Sequence, residues 1–155
     1  MVPNMNKYEE LNFKVQSILH NLKVKFTNVD IDGDLNYSIQ ISTIGKLKNL
    51  NYINALLYFE MIDDSMNFFV GNIYKILKSD DVLSIYEKIN YINNTNYSGH
   101  FSVYGNEKKQ IVYRSSIFCG DDFCCLNEQL IQSIIIPFIA ALEELIELFK
   151  KENND

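Results

Sequence analysis

The stretch Ser84–Phe118, SIYEKINYINNTNYSGHFSVYGNEKKQIVYRSSIF, decides the fold. Ile85, Ile89 and Ile92, with Val82 upstream and Tyr86 beside them, recur at three- and four-residue spacing and so share one face of a helix. Asn90 and Asn93 stand near the end of that helix. Asn93, Asn94, Asn96 and Gly99 tolerate positive φ and end a helix at little cost. Beyond them Phe101 and Val103 alternate with His100, Ser102 and Tyr104, and Gly105-Asn106 supplies a turn. It leads into Gln110–Phe118, a second run rich in β-branched and aromatic residues. The stretch reads as a core-facing helix followed by a β-hairpin.

Upstream, Tyr8, Leu11, Val15, Ile18 and Leu22 form an amphipathic stripe that begins after Asn6, a first helix. His20 lies near its C-terminal end with no partner close in sequence, as an exposed helix histidine does. Val24 and Phe26 alternate with lysines and Thr27, but Val29 and Ile31 have the opposite parity, which predicts a strand end or a bulge near Asn28. Leu35, Tyr37, Ile39 and Ile41 alternate with polar residues, the pattern of an antiparallel strand with one wet face. Asn51–Met61 and Met66–Ile76, joined at Asp63-Asp64-Ser65, are more continuously apolar and suit inner strands. Ser79, Asp80 or Asp81 can cap the helix that follows. The last element runs from about Asn127 to Lys151 with Ile131, Ile135, Phe138, Leu142, Leu145 and Phe149 on one stripe. Pro137 within it predicts a kink or a break into two helices. The order is helix, four strands, helix, two strands, helix. That is an α+β domain spanning residues 1–155, its helices packed on a mainly antiparallel sheet.

On the run Ile89-Asn90-x-x-Asn93, Gly99-x-Phe101-x-Val103 and, after the turn, Val112-Tyr113-Arg114, the chain resembles the bacterial YbjN family. The resemblance is carried by the C-terminal half, and the N-terminal half fits in its order of elements. It implies a fold similar to type III secretion chaperones, a regulatory or chaperone-like role, and structural positions at Asn90, Asn93, Gly99, Phe101 and Arg114. It also implies a homodimer, or a groove holding a segment of a partner protein.

Composition narrows the function classes. A chain of 155 residues that is 47% hydrophobic is sized for a single core. A net charge of −6, with Arg114 as the only arginine, opposes binding to phosphate backbones, so no nucleic-acid partner is expected. Asn, Lys or Glu interrupts the apolar runs before the ~18 residues that a membrane span needs, and no signal pattern opens the chain. Cys119, Cys124 and Cys125 suit a reducing compartment better than a disulfide framework. Together these predict a cytoplasmic protein without a membrane partner.

Two segments imitate reactive sites. Asn28-x-Asp30-x-Asp32-Gly33-Asp34 resembles the start of a calcium loop, but the position that needs a bidentate glutamate is Ile39, so a hairpin turn is the better reading. The cysteines lack zinc spacing, so no metal or other cofactor is expected. As nucleophiles, Cys119 or Cys124 would need His100 as base, with Asp121 nearby; the other reading is a small buried hydrophobe. The expectation is therefore a protein that is not an enzyme and that binds another protein. An alternative is an acidic inhibitor of immunity type using the turns at Asp30–Asp34, Asp63-Asp64 and Asp121-Asp122. Ile134, Ile135 and Ile136 point in three directions about 100° apart on a helix. One buried face cannot take all three, which makes Ile134, Ile136 and Phe138 the candidate dimer or partner contact.

Overall fold

The computed structural model describes residues 6–31, 34–47, 50–95 and 98–153. Helix α1 (Lys7–Asn21) starts at Asn6, whose side chain accepts from the Glu9 amide at 2.8 Å. Strands β1 (Phe26–Ile31), β2 (Asp34–Leu47), β3 (Leu50–Glu60) and β4 (Ser65–Lys75) form an antiparallel meander. Helix α2 (Val82–Thr95) follows, held at its start by Asp81, which accepts from the Ser84 amide. Then come β5 (His100–Tyr104), β6 (Gln110–Phe118), a short 3-10 turn at Asp121–Phe123, and α3 (Glu128–Asn153). The strand order is β1-β2-β3-β4-β6-β5. Because α2 carries the chain one strand beyond β4, β5 lands at the edge and β6 returns to fill the gap, pairing antiparallel with both.

Strand side chains alternate between two faces, and the three helices cover one of them. Tyr37 and Ile39 of β2, Leu57 and Phe59 of β3, Met66 and Phe68 of β4, and Tyr113 of β6 bury against Leu11, Val15 and Leu19 of α1, Ile85, Ile89 and Ile92 of α2, and Ile131, Phe138 and Leu145 of α3. Aromatic rings set the middle of this core. Tyr113 has Phe101 at 5.1 Å, Phe68 at 6.1 Å and Phe138 at 4.8 Å between centroids. These separations suit edge-to-face and tilted packing, which adds to plain area burial.

Several expectations are corrected. The chain does not break at Asn28: β1 pairs in unbroken register from Phe26↔Ile39 to Ile31↔Asp34. Val29 changes parity because it lies on the uncovered face of an edge strand, where an apolar side chain costs little. The turn residues Asp32-Gly33 lie outside the described residues, as do Asn96, Lys48, Asn49 and the first five residues. Ile39, the position where a calcium loop would need its glutamate, is buried in β2.

Pro137 does not divide the last helix, which runs through it. The amide that proline lacks would have served the Ser133 carbonyl, and Ser133 is exposed, so water can satisfy that oxygen. The view that every apolar run falls short of a membrane span also fails here. Among the described residues, Glu128–Lys150 is long and apolar enough by length and composition. Ile131, Ile134, Phe138, Ala141, Leu142 and Leu145 are nevertheless buried on the protein's own sheet and helices, while Gln132, Ser133 and Glu147 are exposed, which is how a core helix divides its surface.

Candidate functional site

The nucleophilic set conceivable from sequence is not assembled. His100 pairs with Arg114 across the β5–β6 ladder, whereas Cys119 follows five residues further along the strand, roughly 16 Å away at strand rise. Cys119 is fully buried, and burial pushes its thiol up to about 11, the reverse of what a nucleophile needs. Cys124 is exposed, and its thiol is raised by its hydrogen bond with Cys125. His20 is exposed and meets the Phe26 ring edge-on at 5.1 Å.

The residues behind the family resemblance separate into distinct roles. The Asn93 side chain donates to the Phe101 carbonyl at 2.9 Å and accepts from the Phe101 amide at 2.8 Å, tying the end of α2 to β5. Phe101 is buried on Tyr113. At Gly99 the backbone runs so close to β6 that a Cβ would lie 2.6 Å from the Tyr113 ring and 2.8 Å from the Arg114 carbonyl oxygen. Asn90, by contrast, is exposed. Of the α3 residues, Ile134 and Phe138 are buried in the chain's own core and cannot form a contact surface, while Ile136 is 59% exposed.

The alternation of β2 already predicts one wet face of the sheet, but the side chains that meet on that uncovered face were not singled out from the sequence. Across it run Leu56 of β3, Phe69 of β4, Arg114 of β6 and His100 of β5, aligned by consecutive ladder pairs. The next row along carries Ser102 and the buried Val112, and the row beyond it Lys75, Gln110 and Tyr104. The Arg114 guanidinium stands 5.2 Å from the Phe69 ring centre and 5.9 Å from that of Tyr104. Two aromatic faces thus hold the chain's single arginine upright without a carboxylate in either contact. Tyr104 is 56% exposed and Phe118, at the far end of the same face, 62%. Arg114 and Lys75 bring positive charge to the β4–β6–β5 side of this face in a chain of net charge −6, and the adjoining hairpin turn exposes Lys108 and Lys109 beside Glu107. The signal was present in the sequence: even-numbered residues of β6 and β5 place arginine and aromatics where a wet face ordinarily holds small polar side chains.

A second electrostatic feature lies at one end of the sheet. The ladder pairs Leu35↔Phe59, Phe59↔Met66 and Met66↔Ile117 put the start of β2 at Asp34, the β3–β4 turn at Asp63-Asp64 and the β6–α3 turn at Asp121-Asp122 at the same end. Lys7 reaches Asp122 at 2.7 Å and Asp64 at 3.3 Å, and the Asp122 carboxylate raises the lysine's pKa. Lys14 donates to the Phe123 carbonyl at 3.0 Å in the same turn, so among the described residues the chain brings at least two cations of its own to this acidic end.

No family model matches the chain, and no curated protein matches it by sequence. Among solved structures it is similar to that of YbjN from E. coli, a candidate transcription regulator, with TM-score 0.57 and 11% identity over 90% of this chain and 89% of that one. At that identity the likeness establishes the fold: a six-stranded antiparallel sheet with helices on one face, shared nearly end to end.

Proposed function

We propose, with the YbjN-like fold as premise, that this chain is a non-enzymatic regulatory module that binds a protein partner on the open face of its sheet. The observation that carries the reading is Arg114 held between Phe69 and Tyr104 on an uncovered surface. Aromatic and arginine side chains dominate the energetics of protein interfaces, because they bury much area for few lost rotamers and reach several acceptors. A partner segment with carboxylates beside apolar side chains would match the cation and the rings together. The test is capture from the native cell with the wild-type chain and with Arg114→Glu as baits. A protein that is lost from the Arg114→Glu bait supports the reading, provided the variant melts like wild type. The same set of proteins on both baits would defeat it.

A second reading rests on the acidic end of the sheet. Carboxylate-rich turns gathered at one place suit an inhibitor of a basic protein, in the manner of an immunity protein, although Lys7 neutralises part of that charge. Asp63→Lys with Asp121→Lys would abolish capture on this reading and leave it intact on the first. Self-association through α3 is proposed as well, since Ile136 is the exposed member of the isoleucine run. Sedimentation at micromolar concentration should show a dimer that Ile136→Asp converts to monomer, and a monomer in both chains would remove the proposal. A cytoplasmic setting is part of the same proposal, in keeping with three free thiols.

A further inference from the structure

The turn between β6 and α3 brings two thiols together in a way that neighbouring residues seldom allow. Along a strand consecutive side chains leave on opposite faces, and on a helix they diverge by about 100°. Here Cys124 and Cys125 lie in a tight turn fixed by backbone bonds from the Cys124 amide to the Asp121 carbonyl at 3.1 Å and from the Cys125 amide to the Cys119 carbonyl at 2.8 Å. Their sulfurs are 3.8 Å apart, and both residues are exposed. Both thiols converge over Gly120, whose φ of +80° already favours glycine. A Cβ there would stand 2.6 Å from the Cys124 sulfur and 2.8 Å from the Cys125 sulfur. The missing side chain leaves the room in which the pair meets.

Cys119 is buried and takes no part, so the site offers two sulfurs and not three. Among the described residues no group of three His, Cys, Asp or Glu side chains is placed to hold a metal ion, so a closed zinc site is not on offer. Soft electrophiles that need only two sulfurs remain. Asp121 and Asp122 sit in the same turn. The Cys124 thiol is raised first by its hydrogen bond with Cys125 and further by the Asp121 carboxylate, whose charge also disfavours anionic reagents and leaves neutral electrophiles.

We propose that Cys124 and Cys125 form a dithiol site for a neutral thiophilic electrophile that accepts two sulfurs at one atom, of the trivalent arsenical class. An arsenoxide R–As=O condenses with both thiols. Two S–As bonds form, both S–H bonds and the As=O bond are lost, and the two protons leave with the oxygen as water. Arsenic stays trivalent, so the step needs no oxidant. Because the reaction begins from thiols and returns their protons in water, a protonated pair is competent for it.

The experiment uses the full chain and phenylarsine oxide, read by intact mass and by maleimide titration of accessible thiols. The expected result is one arsenical per chain, with the mass gain of the reagent less one water and loss of both accessible thiols. A small dithiol should reverse the adduct, and an equal concentration of monothiol should not. Cys124→Ser and Cys125→Ser, both at exposed positions, should each abolish the dithiol-specific adduct while the melt is unchanged, and Cys119→Ala should retain it. An adduct that survives in either serine variant, or that a monothiol removes as readily as a dithiol, would overturn the proposal. So would two arsenicals bound per chain.

Discussion

Tyr113 and Arg114 are neighbours on β6, and their side chains leave the sheet into opposite surroundings. Tyr113 enters a ring of aromatic side chains under the helices and is fully buried, whereas Arg114 stands in water between two half-open rings. The difference follows from the two-residue period of a strand. One segment thereby carries two independent chemistries, and a substitution on one face need not disturb the other. Stability is concentrated on the covered face, and recognition is free to occupy the open one.

The largest expected effect lies on the covered side. Phe138→Ala removes a ring that touches both Phe68 and Tyr113, and loss of a buried phenylalanine costs about 3–5 kcal/mol. Urea denaturation should show that loss; a change of less than about 1 kcal/mol would mean the helix is not a core element. Asn93→Ala comes next. It deprives both backbone groups of Phe101 of their partner, at about 1–3 kcal/mol, while Asn90→Ala at an exposed position should stay within about 0.5 kcal/mol. Equal midpoints for the two variants would break the distinction. On the open face Arg114→Ala should cost about 1 kcal/mol or less, the scale of exposed cation–π contacts, while removing the captured partner. A large stability loss with capture intact would reverse the roles assigned to the two faces.

A further effect is one of pH. Burial holds the Cys119 thiol at about 11, above its ordinary value near 9.0, so the folded chain keeps a proton that the unfolded chain gives up. Fewer protons on the unfolded state means that stability falls as pH rises. The contribution is whole below about 9 and is lost progressively towards about 11. Cys119→Ala should flatten that part of the profile in a melt series.

What could be read from the sequence follows physical range. The hairpin, the stripe of α1 and the order of elements depend on spacings of two to four residues, and these were legible. The outcome at Pro137 depended on whether Ser133 faces water, which is a tertiary fact. Asn90 and Asn93 look alike at three-residue spacing, and only the position of β5 gives one of them a partner. His100 and Cys119 flank the same hairpin, but register sets them far apart. The aromatic cradle of Arg114 joins three strands, with Phe69 and Tyr104 contributed by β4 and β5, and no local pattern announces such a meeting.

The paired bonds of Asn93 to Phe101 also bear on how copies of this molecule avoid one another. β5 is the last strand of the sheet, and a strand at an edge ordinarily offers its unpaired amides and carbonyls as a template for a passing chain. At Phe101 both groups are already taken by a side chain that imitates a peptide, so an incoming strand finds neither donor nor acceptor there. One asparagine thus acts as a guard against polymerisation. Its removal should appear as faster fibre growth in agitated solution, as well as in a lower melting point.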